Sequence, residues 1–263
     1  MSQIKSDDAE IVYEVMGSGA PVVLLHPFPA NREFWKPAAQ ALASRYKLIM
    51  PDLRGHGDSG IGEGPAFMGK HADDLARILD QEDTGRPAMV GVSIGGYILF
   101  EFWRRYRGRV AALVLSNTKA QMDTPEARNG RLQAAADVLE RGTEPFISNF
   151  LPKGLGKTTL NTRPDLVDGA RRMMMKMSPE DISLVQKGMA ERPDSVPDLK
   201  TINVPTMIVT GEEDLFSPLA DADLMRKNVS GSELKVIPRA GHYAAWEQPE
   251  AVGTVLRQFL DSQ

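Results

Sequence analysis

Cysteine is absent from all 263 residues, which excludes disulfides, thiolate nucleophiles and cysteine metal sites. Histidine is nearly as scarce. His26, His56, His71 and His242 are the whole supply of imidazole for base chemistry. A large excess of charge of one sign is also missing. The 31 basic and 35 acidic residues give a formal net charge of −4, with no long single-sign run to track a phosphate backbone. Nucleic acid is therefore not expected as a partner. No apolar stretch approaches a membrane span, and the N-terminal Met1-Ser2-Gln3-Ile4-Lys5-Ser6-Asp7-Asp8 lacks the apolar core of a signal peptide. A cytoplasmic location without membrane contact is the expectation. What is present, 42% hydrophobic and 25% charged residues, suits a globular chain with a large buried core.

Residues 11–15 alternate like a strand, and Gly17-Ser18-Gly19 then turns the chain into the apolar run 21–25, which predicts a hairpin entering a sheet. Short β-rich runs at 47–50, 88–92, 110–115, 205–210 and 234–237 mostly alternate with helical segments at 34–43, 67–79, 94–106, 219–228 and 249–261. This rhythm predicts an α/β fold, a mostly parallel central sheet with helices on both faces. Between residues 119 and 199 the rhythm stops and only helical signals remain. Leu132, Ala135, Ala136 and Leu139 fall there at helical spacing, and Ser178-Pro179-Glu180-Asp181 reads as a helix start. The expected organisation is a core of residues 1–118 and 200–263 with an inserted helical cap, 119–199, too lightly apolar to stand alone.

Gly91-Val92-Ser93-Ile94-Gly95 follows the apolar Met89-Val90 and precedes the helical Tyr97-Ile98-Leu99-Phe100. It therefore has the strand, sharp turn and helix that a G-x-S-x-G nucleophile elbow requires. The two glycines leave room for the turn, the Ser93 hydroxyl rises above the sheet, and the Ile94 amide points toward a bound oxyanion. A serine nucleophile needs a base, and of the four histidines only His242 follows it in the order that this motif demands, nucleophile, acid, histidine. An acid is expected after the strand at 205–210, where Glu212, Glu213 and Asp214 compete. A glycine turn and two residues carry Asp214 clear of the strand end, so it is preferred, with Glu212 and Glu213 read as solvated loop charges. Asn117, at the end of the preceding strand, removes one other acid position. A second oxyanion donor is expected from His26-Pro27-Phe28-Pro29. Neither proline has an N–H, which leaves the Phe28 amide, with His26 bracing the loop.

Other patterns point away from chemistry. Gly55-His56-Gly57-Asp58-Ser59-Gly60 copies a dinucleotide motif, yet Ile-Gly-Glu-Gly-Pro follows where a helix should open. A tight loop, with Asp52, Arg54 and His56 in local hydrogen bonds, is the better reading. Gly156-Lys157-Thr158 copies the end of a phosphate loop, but Leu151 stands where its first glycine belongs. His71, Asp73 and Asp74 do not share a helix face as metal ligands would. No cofactor and no metal are expected. Met173, Met174, Met175 and Met177 either line an adaptable apolar pocket or fill gaps under a surface helix. Trp35 and Trp246 read as packing anchors.

These residues together resemble the α/β-hydrolase superfamily over essentially the whole chain, and its 3-oxoadipate enol-lactonase-like esterase branch most closely. The resemblance is carried by Pro51-Asp52-Leu53-Arg54-Gly55-His56-Gly57-Asp58-Ser59, Gly91-Val92-Ser93-Ile94-Gly95-Gly96 and Leu113-Val114-Leu115-Ser116-Asn117-Thr118. Arg192-Pro193-Asp194-Ser195, Gly211-Glu212-Glu213-Asp214 and Gly241-His242 extend it. It implies the α/β-hydrolase fold with Ser93, Asp214 and His242 as a catalytic triad and Phe28 and Ile94 at the oxyanion hole. One departure is His26-Pro27, where the family usually has His-Gly. Serine at 93 argues against the branches that use an aspartate nucleophile. The expected function is cofactor-independent hydrolysis of a small carboxylic ester or lactone through an acyl-serine. The rivals are a haloperoxidase or perhydrolase, a carbon–carbon bond hydrolase, and a ligand-binding receptor of the same fold.

Overall fold

The computed structural model describes all of residues 1–263. Its strands are β1 (Ser2–Ser6), β2 (Ala9–Met16), β3 (Ala20–Leu25), β4 (Tyr46–Pro51), β5 (Ala88–Val92), β6 (Ala112–Ser116), β7 (Thr206–Gly211) and β8 (Glu233–Ile237). They form one sheet in the order β1-β2-β4-β3-β5-β6-β7-β8, antiparallel where β2 meets β1 and β4 and parallel from β4 to β8. The helices are α1 (Lys36–Ala39), α2 (Met68–Gln81), α3 (Ile94–Tyr106), α4 (Pro125–Arg141), α5 (Thr143–Gly154), α6 (Lys157–Thr162), α7 (Pro164–Met174), α8 (Pro179–Ala190), α9 (Leu219–Asn228), α10 (Ala244–Glu247) and α11 (Pro249–Asp261).

Side chains alternate across each strand, so the central strands bury both faces. Val23 and Leu25 join Leu75, Ile78, Ile98 and Phe102 of α2 and α3 on one face. Val22 and Leu24 join Ala38, Val252 and Leu256 of α1 and α11 on the other. Five helices, α4 to α8, lie between β6 and β7 and extend both cores. Thr124 caps α4 by accepting from Ala127 N–H, and Ser178 caps α8 by accepting from Asp181 N–H. No helix is long and apolar enough to cross a membrane.

Several expectations change. Residues 2–6, to which the sequence assigned no element, form the edge strand β1 in a hairpin with β2. β2 does not pair with β3, because β4 lies between them; the Gly17–Gly19 turn crosses so close to Ala43 O and Arg45 O that β-carbons there would lie 2.3 Å away. The helix expected at 34–43 is a 3₁₀ turn (Arg32–Trp35) followed by the single turn α1. In α4 the buried positions are Ala135 and Val138, whereas Leu139 is 49% exposed, so the stripe lies one residue off the expected register. Met173, Met174 and Met177 are buried in the core and Met175 points outward, and none lines the main cavity. They fill gaps. Trp35 is fully buried, and Trp246 donates to Leu166 O while covering Gly169.

The false dinucleotide motif is a tight loop around Asp52, whose carboxylate accepts Arg32 and Asp58 N–H while its carbonyl accepts the Ser59 hydroxyl. Arg54 is buried and bidentate to Asp74, and Asp73 instead bonds Arg105 and Tyr106 on the surface. His56 lies in this loop, and burial pushes His26 and His56 down to about 3 and His71 well below its ordinary value. A base held neutral when folded binds its proton only on unfolding, so each histidine withdraws stability as pH falls below about 6.5. His71, with no hydrogen bond at either ring nitrogen, isolates the effect. The loss of unfolding free energy between pH 7 and pH 5 is expected to be about 2 kcal/mol smaller in His71→Leu than in wild type. Equal losses in parallel urea titrations refute this.

Candidate active site

Parallel strands deliver their carboxyl ends to one edge, and loops leaving that edge are where α/β sheets place ligands. Here Phe28 follows β3, Ser93 follows β5, Asn117 follows β6, Asp214 follows β7 and His242 follows β8. The structure brings the predicted residues together.

Ser93 has φ 56° and ψ −114°, a strained conformation for a residue with a side chain. The turn is possible because a β-carbon at Gly91 would lie 2.5 Å from Gly95 O, and one at Gly95 would lie 2.9 Å from Leu25 O. Bonds on both sides hold it: Ser93 N–H donates to Ser116 O at 3.0 Å, and Ser93 O accepts Thr118 Oγ1–H at 2.8 Å. Although Ser93 occupies the N-cap position of α3, its hydroxyl does not cap the helix. It stays free, half-buried at the floor of a cavity of about 420 Å³ that His242 also lines. Nucleophile–base hydrogen bonds are often long in ligand-free sites and tighten around substrate.

His242 Nδ1 lies 2.9 and 3.0 Å from the two Asp214 oxygens, and both residues are buried. Asp214 gathers further donors. Its Oδ2 accepts Ser217 Oγ–H at 2.7 Å and Asn117 Nδ2–H at 2.9 Å, and its Oδ1 accepts the amides of Phe216 and Ser217. Burial alone would raise this carboxyl. The charge of His242 and the bonds from His242, Asn117 and Ser217 outweigh burial and hold it well below the usual carboxylate range. An acceptor that stays ionised fixes the proton on His242 Nδ1 and leaves Nε2 as the basic nitrogen.

The Phe28 amide donates to no protein acceptor, and the Ile94 amide, the first of α3, has no carbonyl a turn behind it. Tyr243 Oη–H donates to Phe28 O at 3.0 Å, and His26 accepts Leu53 N–H at 2.9 Å through Nε2. The proline-flanked loop is therefore braced from two sides. Above it, Phe28, Phe146, Phe150 and Phe216 pack edge-on or stacked at 5.1–6.1 Å between centroids, and Phe216 meets the His242 ring at 5.1 Å. The outer wall is cationic, with Lys119, Arg131 and Lys153. Its only carboxylate is Asp123, shared between Arg131 and Arg192. Lys119 makes neither an ion pair nor a hydrogen bond, and Lys153 bonds only neutral Asn149.

Some residues of the candidate site escaped sequence reasoning. Asn117 is an active support of Asp214 as well as a missing acid. Ser217 was legible only as a serine before Pro218, a turn signal rather than a site signal. Glu213, expected in solvent, accepts both the N–H and the hydroxyl of Thr158 in α6, while Glu212 remains exposed. Lys119, Phe146, Phe150 and Phe216 carried no sequence signal, because α5 and the loops after β6 and β7 meet only in the fold.

A strand–elbow–helix at this edge, with the acid and histidine loops beside it, defines the class. Residues 20–249 match the model of the alpha/beta hydrolase fold family, and the chain belongs to that family. Its structure is similar to that of a thermophilic esterase from Thermogutta terrifontis solved with malate bound, at 35% identity and TM-score 0.96, covering 100% of this chain and 99% of the other. It is also 28% identical to a non-heme haloperoxidase of Rhodococcus erythropolis, over 98% of each chain. With 3-oxoadipate enol-lactonase 2 of Acinetobacter baylyi it shares 23% identity over 97% of this chain and 96% of that one. Esterase, lactonase and haloperoxidase relatives thus share one scaffold.

Proposed function

We propose that this chain is a serine esterase or lactonase whose substrate is a small ester or lactone bearing a carboxylate away from the scissile bond. The observation that carries the reading is that Ser93 and His242 line one cavity while His242 pairs with Asp214. Ser93 Oγ attacks the carbonyl carbon while His242 Nε2 takes its proton, and the Phe28 and Ile94 amides receive the oxyanion. The tetrahedral adduct collapses, the carbon–oxygen bond to the leaving group breaks, and His242 returns the proton to that oxygen. Water then attacks the acyl-serine by the same route, releasing the acid and restoring Ser93. Asp214 keeps its charge throughout and steadies the transient imidazolium.

The cationic outer wall supports an anionic substrate. With Asp123 held down to about 2 and engaged by two arginines, the unpaired Lys119 remains to receive a carboxylate. The relative solved with malate, a dicarboxylate, supports the same class. Wild type is expected to hydrolyse a half-ester of a dicarboxylic acid with lower KM than a neutral ester. Lys119→Met should raise KM for the half-ester about tenfold more than for the neutral ester, the scale of a lost charged hydrogen bond. An equal change for both removes the carboxylate from the proposal. Peracid formation from acetate and peroxide outrunning ester hydrolysis favours a perhydrolase, and labelling without turnover favours a receptor.

A further inference from the structure

Three main chains meet where no side chain fits. A β-carbon on Gly211 would lie 2.2 Å from Gly241 O, and one on Gly241 would lie 2.2 Å from Gly156 N. The strand end leading to Asp214, the loop leading to His242 and the start of α6 are therefore in backbone contact.

Two glutamates bond this junction together. Glu247, 3% exposed at the end of α10, accepts Gly241 N–H at 2.9 Å through Oε1. Through Oε2 it accepts Gly156 N–H at 2.8 Å and the Thr159 hydroxyl at 2.6 Å. Glu213 accepts Thr158 N–H at 2.8 Å and the Thr158 hydroxyl at 2.6 Å. Neither glutamate lines the cavity, so neither can touch substrate there. Their bonds instead join the residues just before His242 and just before Asp214 to one cap segment, 156–159. That segment directly follows α5, which supplies Phe146, Asn149, Phe150 and Lys153 to the cavity. The seat of the cap and the alignment of the acid–histidine pair are mechanically one feature.

We propose that Glu247 and Glu213 are positioning residues, a two-carboxylate latch on segment 156–159 that keeps His242 and Asp214 aligned beneath α5 and thereby sets kcat. The proposal rests on the triad reading above. It also gives a role to the Gly156-Lys157-Thr158 sequence, which resembles a phosphate loop but presents its amides and hydroxyls to protein carboxylates.

The test uses the full chain with Thr158→Val and Thr159→Val, each of which removes one latch hydroxyl at nearly constant volume. Thr159→Ser, which restores the hydroxyl, and Glu247→Gln complete the set, and Glu212→Gln, outside the latch, serves as control. Active sites are counted by fluorophosphonate titration, so rates refer to folded protein only. Thr159→Val is expected to lower kcat and the labelling rate constant at least about fivefold, with KM within about twofold, and Thr159→Ser to recover most of the loss. In the Glu247→Gln background Thr159→Val should cost less than in wild type, because both changes weaken the hold of the same side chain on segment 156–159. Unchanged kcat and labelling in Thr158→Val, Thr159→Val and Glu247→Gln, or a change confined to KM, overturns the latch while leaving the triad intact. Absence of labelling at Ser93 in wild type overturns the triad and the latch with it.

Discussion

Ser93→Ala is expected to abolish labelling by a fluorophosphonate and to lower ester hydrolysis by about 10,000-fold or more, with thermal unfolding still cooperative. The size follows from the mechanism, since no other hydroxyl is offered by a strained turn between Gly91 and Gly95 at the cavity floor. The comparison is made by intact-mass measurement of labelled protein and by initial rates on p-nitrophenyl acetate. Labelling that survives the substitution places the nucleophile elsewhere.

Asp214→Asn is expected to lower kcat by about 10,000-fold, the scale found when a triad acid loses its charge but keeps its shape. The donor pattern explains the severity. Asp214 accepts from His242, Ser217, Asn117 and two backbone amides, so an amide group at 214 must point a donor at another donor or turn His242 to the wrong tautomer. Glu213→Gln changes only the contact with Thr158 and is expected to stay within about tenfold of wild type. Steady-state kinetics of the two variants decide the matter, and the reverse ranking moves the acid role to Glu213. A pH effect accompanies this one. A carboxyl held well below its ordinary range adds stability above about pH 4 that is lost only as pH falls through its folded value, so Asp214→Asn should flatten the acid limb of the stability curve.

Much of the site was legible because its residues are placed by chain direction. Parallel strands all end at one edge, so Phe28, Ser93, Asp214 and His242, picked out by motif, chain order and resemblance, could be expected to meet there. The elbow was legible for a local reason, since its two glycines exclude β-carbons that the turn cannot hold. What stayed hidden depends on approaches between distant segments. Glu213 and Glu247 look like ordinary surface charges until residues 156–159 arrive beside them. Lys119 looks like any other lysine in the sequence, and only the fold places it on the cavity wall. β1 was missed because a short edge strand with one wet face can be mostly polar, and its pairing with β2 is what makes Ser2–Ser6 a strand. The short turn α1 gave no better warning, as the apolar spacing of 34–43 fits a helix that the chain leaves after Ala39.

The conformation of Ser93 also bears on how this protein can evolve and be engineered. A side chain held at φ 56° and ψ −114° costs about 1–3 kcal/mol, and the helix cap that the same serine forgoes is worth about 1 kcal/mol more. Against a net stability of about 5–15 kcal/mol for a typical domain, a cost of this size at one residue is a sizeable fraction of the margin. Stability and activity are therefore opposed at a single position. A thermostability screen blind to turnover would favour glycine at position 93 and select a better-folded protein without the hydroxyl that the proposed mechanism uses.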